Sequence, residues 1–165
     1  MGHYNLFLIL FPLIIHFVDC ERILVVPANG APSHTKSMYP LAEILSKQGH
    51  EVMMLQFLNF DLLKTKASET SKVEDRYLMG KPRPGITEDS LRVPPAILWG
   101  YMPLGGLSFI FPWNIFSQNC KSVLDDEKLA SEFQSIMRDK QFSIVIVDDI
   151  FAPCGYLAAR EARRL

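Results

Sequence analysis

The hydrophobic pattern is most regular between Arg22 and Phe57. RILVV, Arg22 to Val26, is a short aliphatic run closed by Pro27, and a run of that length bounded by a turn residue predicts a strand buried on both faces. Asn29-Gly30 and Pro32 predict a loop. From Thr35 the apolar residues Met38, Leu41, Ala42 and Leu45 recur at helical spacing, with Lys36, Glu43, Lys47 and Gln48 on the other side, which predicts an amphipathic helix. Ser33 is the expected N-cap, and Gly49 stands where a left-handed residue closes a helix. EVMMLQF, Glu51 to Phe57, resumes a strand. Strand, helix and strand make a βαβ unit, whose parallel strands are joined by a right-handed crossover. The expected class is therefore α/β, with a Rossmann-like parallel sheet.

The remaining pattern is less even. Asp61 to Arg92 carries much charge and the cluster GKPRPG, and reads as a loop region with one short helix at most. Val93 to Cys120 has no charged residue. It is long enough to span a bilayer, but Pro103, Gly105, Gly106 and Pro112 interrupt it, which argues against a straight transmembrane helix. Two readings remain for it: the wall of an apolar pocket, which is preferred, or a segment that dips into a membrane face. Ser122 to Asp139 predicts a second amphipathic helix through Leu129, Phe133 and Ile136. FSIVIVDD, Phe142 to Asp149, predicts a third buried strand, and FAPCGYLAAREARRL a turn into a last helix. That helix reaches Leu165 with no capping signal, which reads as a truncated chain.

Composition narrows the class. The 165 residues suit one domain or part of a larger one. At 48% hydrophobic and 21% charged residues, apolar surface is sufficient to offset the entropy of ordering the chain. Seventeen Lys and Arg balance 18 Asp and Glu, so no basic field favours nucleic acid.

The stretch NLFLILFPLIIHFV, Asn5 to Val18, is uncharged and stops before Glu21 and Arg22, which is the layout of a secretory signal peptide over residues 1–20. Val18 and Cys20 would be the small residues flanking cleavage. Three cysteines, Cys20, Cys120 and Cys154, become two once the leader is removed. An oxidising compartment permits a Cys120–Cys154 bridge, and two buried thiols are the equally open alternative.

The candidate chemistry lies in the loop after the first strand. A dinucleotide-binding fold would place G-x-G-x-x-G there; this loop has one glycine, Gly30, and a histidine, His34. At a helix start the partial positive end of the dipole disfavours an imidazolium, so a neutral ring stands ready as a general base. In open α/β sheets the C-terminal edge of the strands is where ligands bind. Asp148 and Asp149 end another strand at that same edge, and a carboxylate bonded to the ring would fix its tautomer and stabilise the charge it gains.

Three stretches carry a resemblance to the UDP-glycosyltransferases of the animal glucuronosyltransferase family. They are the leader followed by RILVVPANGAPSHTKSMYPLAEILSKQGHEV, then NCKSVLDDEKLASEFQ, then FSIVIVDDIFAPCG. The resemblance implies a GT-B fold of two facing Rossmann-like halves. Residues 21–165 would be the N-terminal, acceptor-binding part, lacking the C-terminal donor domain and membrane anchor. It implies transfer of a glucuronosyl or glucosyl unit from UDP-sugar, with inversion, to a hydroxyl of a small lipophilic acceptor. His34 is then the base.

The orienting aspartate is Asp149 counting back from PCG, the preferred count, or Asp148 counting forward from Phe142. No metal or resident cofactor is implied, since UDP-sugar is a substrate. The family also implies endoplasmic-reticulum membrane association of a parent enzyme, with homo-oligomerisation left open, and a chain inactive alone. The alternative is a non-catalytic luminal or secreted module that binds apolar ligands or a full-length partner. A nicotinamide-dependent enzyme is disfavoured by the missing glycines.

Overall fold

The computed structural model describes residues 20–82, 84, 87, 117–148 and 152–164. Residues 1–19 of the expected leader and the uncharged segment up to residue 116 lie outside these residues, as does Asp149. Four strands, β1 (Arg22–Val26), β2 (Glu51–Leu58), β3 (Glu74–Met79) and β4 (Ile144–Val147), form one sheet in the order β3-β2-β1-β4. Every pairing is parallel, with Ile23 opposite both Val52 and Ile144. Among the described residues, α1 (Pro32–Lys47), α2 (Glu127–Lys140), α3 (Pro153–Ala162) and a helical segment at 117–124 flank it.

Because strand side chains alternate between faces, β1 divides its residues between two cores. Ile23 and Val25 join Val52 and Met54 under Tyr39 and Ala42 of α1. Leu24 and Val26 join Met53, Leu55 and Phe57 on the other face, under Phe133 and Met137 of α2 and Ala158 of α3. Phe57 and Phe133 meet edge to face with centroids 5.8 Å apart. Helices on both faces of a parallel sheet are the Rossmann-like α/β arrangement expected from the sequence.

Several local expectations are corrected. The helix begins at Pro32, so Ser33 lies inside its first turn; Ala31 is the N-cap and makes no side-chain cap bond. Pro at the first helical position suits this, since the missing N–H there has no intrahelical partner. The buried stripe of α1 is Thr35, Tyr39, Ala42 and Ser46, rotated from the expected one, and Leu41 is 43% exposed. Polar partners for Tyr39 set that rotation, as described below. Gly49 does adopt φ +100°, the left-handed closing conformation expected of it.

The expected loop from Asp61 holds a 3-10 turn, Asp61–Leu63, and also β3. The charges of EDRYLM hid this strand. Among the described residues it is an edge strand, so Glu74, Asp75 and Arg76 can reach solvent while Leu78 is buried. The single helix expected over Ser122 to Asp139 is two: residues 117–124 are helical and α2 starts afresh. Asp126 causes the break. Its Oδ1 accepts from the amides of Lys128 (3.1 Å) and Leu129 (3.2 Å), capping α2 in an extended conformation. The last strand is shorter than Phe142 to Asp149 and half-exposed rather than buried, because among the described residues it pairs only with β1. A disulfide joins Cys120 to Cys154, with Cα atoms 5.4 Å apart.

Candidate active site

The β1–α1 connection turns at Ala28 to Ala31, where the Ala31 amide donates to the Ala28 carbonyl at 3.3 Å. Gly30, third in this turn, has φ +68°, a region that favours glycine. The one glycine of the loop thus serves the turn. Two helical residues later comes His34, in the first turn of α1 and at the C-terminal rim of the sheet.

Asp148 reaches the same rim by a different route. β4 runs beside β1 with Val147 opposite Val26, and the Asp148 amide extends that ladder by donating to the Val26 carbonyl at 3.0 Å. His34 Nδ1 and Asp148 Oδ2 are 2.8 Å apart. Their side chains are 34% and 11% exposed, so the carboxylate is the sheltered partner and the ring the accessible one.

An ionised carboxylate only accepts hydrogen bonds, so Nδ1 carries the proton in this pair. In a neutral ring the lone pair then falls on Nε2. A ring held this way can take a proton at Nε2 while the carboxylate stabilises the resulting charge. Of the two aspartates considered from the sequence, the structure brings Asp148 to His34; Asp149 lies outside the described residues.

A second polar cluster lies toward β3. Tyr39 Oη is 2.6 Å from Asp75 Oδ1, and Gln56 Nε2 donates to Tyr39 Oη (3.1 Å) and to the Thr65 carbonyl (2.8 Å). Tyr77 Oη donates to the same carbonyl at 2.8 Å. Asp75 Oδ2 accepts from the Ala67 amide at 2.9 Å. Burial, with the hydrogen bond to Asp75 adding to it, pushes the Tyr39 phenol far above its ordinary value. Burial and the Asp75 charge push Tyr77 up to about 12. Both phenols stay protonated and donate, so this network ties the 59–73 connection to the sheet.

A cleft of about 300 Å³ opens at the opposite, N-terminal rim, between Arg22, Glu51, Lys72, Glu74 and Lys140. Arg22–Glu51 (3.1 Å) and Lys140–Glu74 (3.0 Å) already pair within it. It is a solvated groove away from the histidine. Among the described residues no group of three or more His, Cys, Asp or Glu could hold a metal ion. Nor is any described helix long and apolar enough to cross a membrane.

No family model matches the chain, and no solved structure matches it. Human UDP-glucuronosyltransferase 1A6 is 28% identical over 149 residues, covering 84% of this chain and 25% of that protein. The relationship is UDP-glycosyltransferase-like, and it is distant. The chain spans about a quarter of the length of that relative.

The sequence pattern did not single out Asn119, whose amide packs beside Gly30, or Ser122, which accepts from Asn59 Nδ2 at 3.0 Å. Both lie on the helical segment 117–124. That segment is polar throughout, with Ser117, Gln118 and Lys121 beside them, so no sequence signal set these two apart.

Proposed function

We propose that this chain is the acceptor-binding part of a UDP-glycosyltransferase that glycosylates a hydroxyl of a small lipophilic compound. The observation that carries this reading is the His34 Nδ1–Asp148 Oδ2 contact of 2.8 Å at the ligand-binding rim of a parallel sheet. The distant likeness to a UDP-glucuronosyltransferase supports the reaction class.

In this reading Nε2 of His34 takes the acceptor's hydroxyl proton as its oxygen bonds to the anomeric carbon. The bond from that carbon to the UDP oxygen breaks on the opposite face, so configuration inverts. The imidazolium formed is stabilised by Asp148. A general base of this kind contributes roughly 10²- to 10⁴-fold in rate. UDP-sugar is held mainly by a C-terminal half, and the parent enzyme belongs to the endoplasmic-reticulum membrane.

The test joins residues 21–165 to the C-terminal portion of a UDP-glucuronosyltransferase and follows transfer to a simple phenol. His34→Ala lowers transfer by at least about a hundredfold, while binding of the phenol, followed by fluorescence quenching, persists. Turnover by the His34→Ala chimera at the parent rate would remove His34 from the reaction.

A further inference from the structure

We propose that the Cys120–Cys154 disulfide positions the His34–Asp148 pair, by locking the segment that abuts the His34 loop to the helix start that packs on the strand end just before Asp148. Both cysteines are buried, and each lies beside a residue in contact with one arm of the site.

On the histidine side, Asn119 precedes Cys120. A Cβ built on Gly30 would lie 2.8 Å from Asn119 Nδ2, so the amide occupies the space against the turn that launches α1. The segment is itself fixed: Ser122 Oγ donates to the Asn119 carbonyl at 2.9 Å and accepts from Asn59 Nδ2, just past the end of β2. On the aspartate side, Cys154 lies in the first turn of α3, and the next residue, Gly155, packs flush on Val147. Val147 directly precedes Asp148.

The contacts form a closed circuit. It runs from His34 through Gly30 and Asn119 to Cys120, across the bridge to Cys154, then through Gly155 and Val147 to Asp148 and back to His34. The carboxylate–imidazole bond spans two loops, and a displacement of about 1 Å takes such a bond out of range. A covalent tie between the neighbours of both loops limits that displacement. The inference rests on reading His34 as the base, because that role needs Nδ1 protonated and Nε2 unprotonated.

Nitrogen NMR of the histidine rings in the full 165-residue chain, at mildly alkaline pH, reads this directly. In the wild-type chain His34 carries its proton on Nδ1. His50 supplies an internal reference, since its Nδ1 accepts from the Glu21 amide at 3.3 Å and its proton must sit on Nε2. In the Cys120→Ser/Cys154→Ser chain the Nδ1–H signal of His34 is lost in favour of Nε2–H, with His50 unchanged and amide-exchange protection of β1 and β2 retained.

Asn119→Ala, which keeps the bridge, produces the same loss and decides the matter if the double variant fails to fold. Retention of the Nδ1–H form in both variants, or in Asn119→Ala alone should the double variant unfold, overturns the positioning role and leaves the base assignment standing. A wild-type chain with His34 protonated on Nε2 overturns the pairing itself, and the positioning role with it.

Discussion

His34 Nδ1 and Asp148 Oδ2 meet at 2.8 Å although 114 positions separate them in the chain. The contact depends on two strand ends, β1 and β4, lying side by side in register. Asp148→Asn keeps the size of the side chain but lets an amide donor face the ring, which favours the wrong tautomer. In the chimera described above, transfer falls by roughly 10²- to 10⁴-fold, with binding of the phenol unchanged. Full activity in Asp148→Asn would move the orienting role elsewhere, with Asp149 the first alternative.

Tyr39 anchors α1 through its hydroxyl rather than its ring alone. Replacing it with Phe leaves Asp75 Oδ1 and Gln56 Nε2 each short of one partner. Stranding such buried groups costs about 1–3 kcal/mol. The urea midpoint of Tyr39→Phe drops accordingly, with little change in the slope of the transition. An unchanged midpoint would mean that solvent already supplies those bonds.

The two phenols also give a signed pH dependence. A phenol whose folded value is raised binds its proton more tightly in the native state. Its stabilisation is complete below the unfolded value near 10 and is lost as pH climbs through the folded value. For Tyr77, pushed up to about 12 by burial and the Asp75 charge, that window is pH 10 to 12. Tyr39, raised further by burial and its bond to Asp75, continues beyond it. Denaturation midpoints of the wild-type chain therefore fall more steeply across pH 10 to 12 than those of a Tyr39→Phe/Tyr77→Phe chain. Parallel curves would contradict the assignment.

The Cys120–Cys154 bridge closes a loop with a sequence separation of 34 that includes α2 and β4. Constraining the unfolded chain in this way stabilises the fold by about 2–4 kcal/mol. Thermal unfolding with and without a dithiol reductant measures it, and the reduced chain melts lower. Equal melting temperatures would mean that the burial around both cysteines holds them together unaided.

The central fold was legible because β1, α1 and β2 agree at every local level: an aliphatic run, a turn glycine, a helical period and a closing glycine. His34 was legible for a related reason, since it replaces the glycines that such a loop would otherwise carry. What escaped reading depends on neighbours distant in sequence. The buried face of α1 follows Tyr39 and its partners Gln56, Thr65 and Asp75, which lie on β2, the connection after it and β3. Hydrophobic periodicity counted Leu41 inside; the polar network turned it out. β3 was hidden because an edge strand tolerates the charges of EDRYLM. The break before α2 was present in the sequence as Asp126, but a helix pattern on both sides masked its capping role. The choice between bridged and free cysteines needs the juxtaposition of residues 117–124 with α3, which spacing alone does not encode.

The two margins of the sheet are built differently. Among the described residues no strand lies beyond β3, which carries the charged Glu74 and Arg76, side chains that discourage another backbone from docking. β4 is Ile-Val-Ile-Val, with Ile144 43% exposed, and among the described residues its far side has no strand beside it. One margin is gated and the other is open. A strand extending this sheet, from its own polypeptide or from another molecule, therefore meets less resistance on the β4 side, next to the aspartate that faces His34.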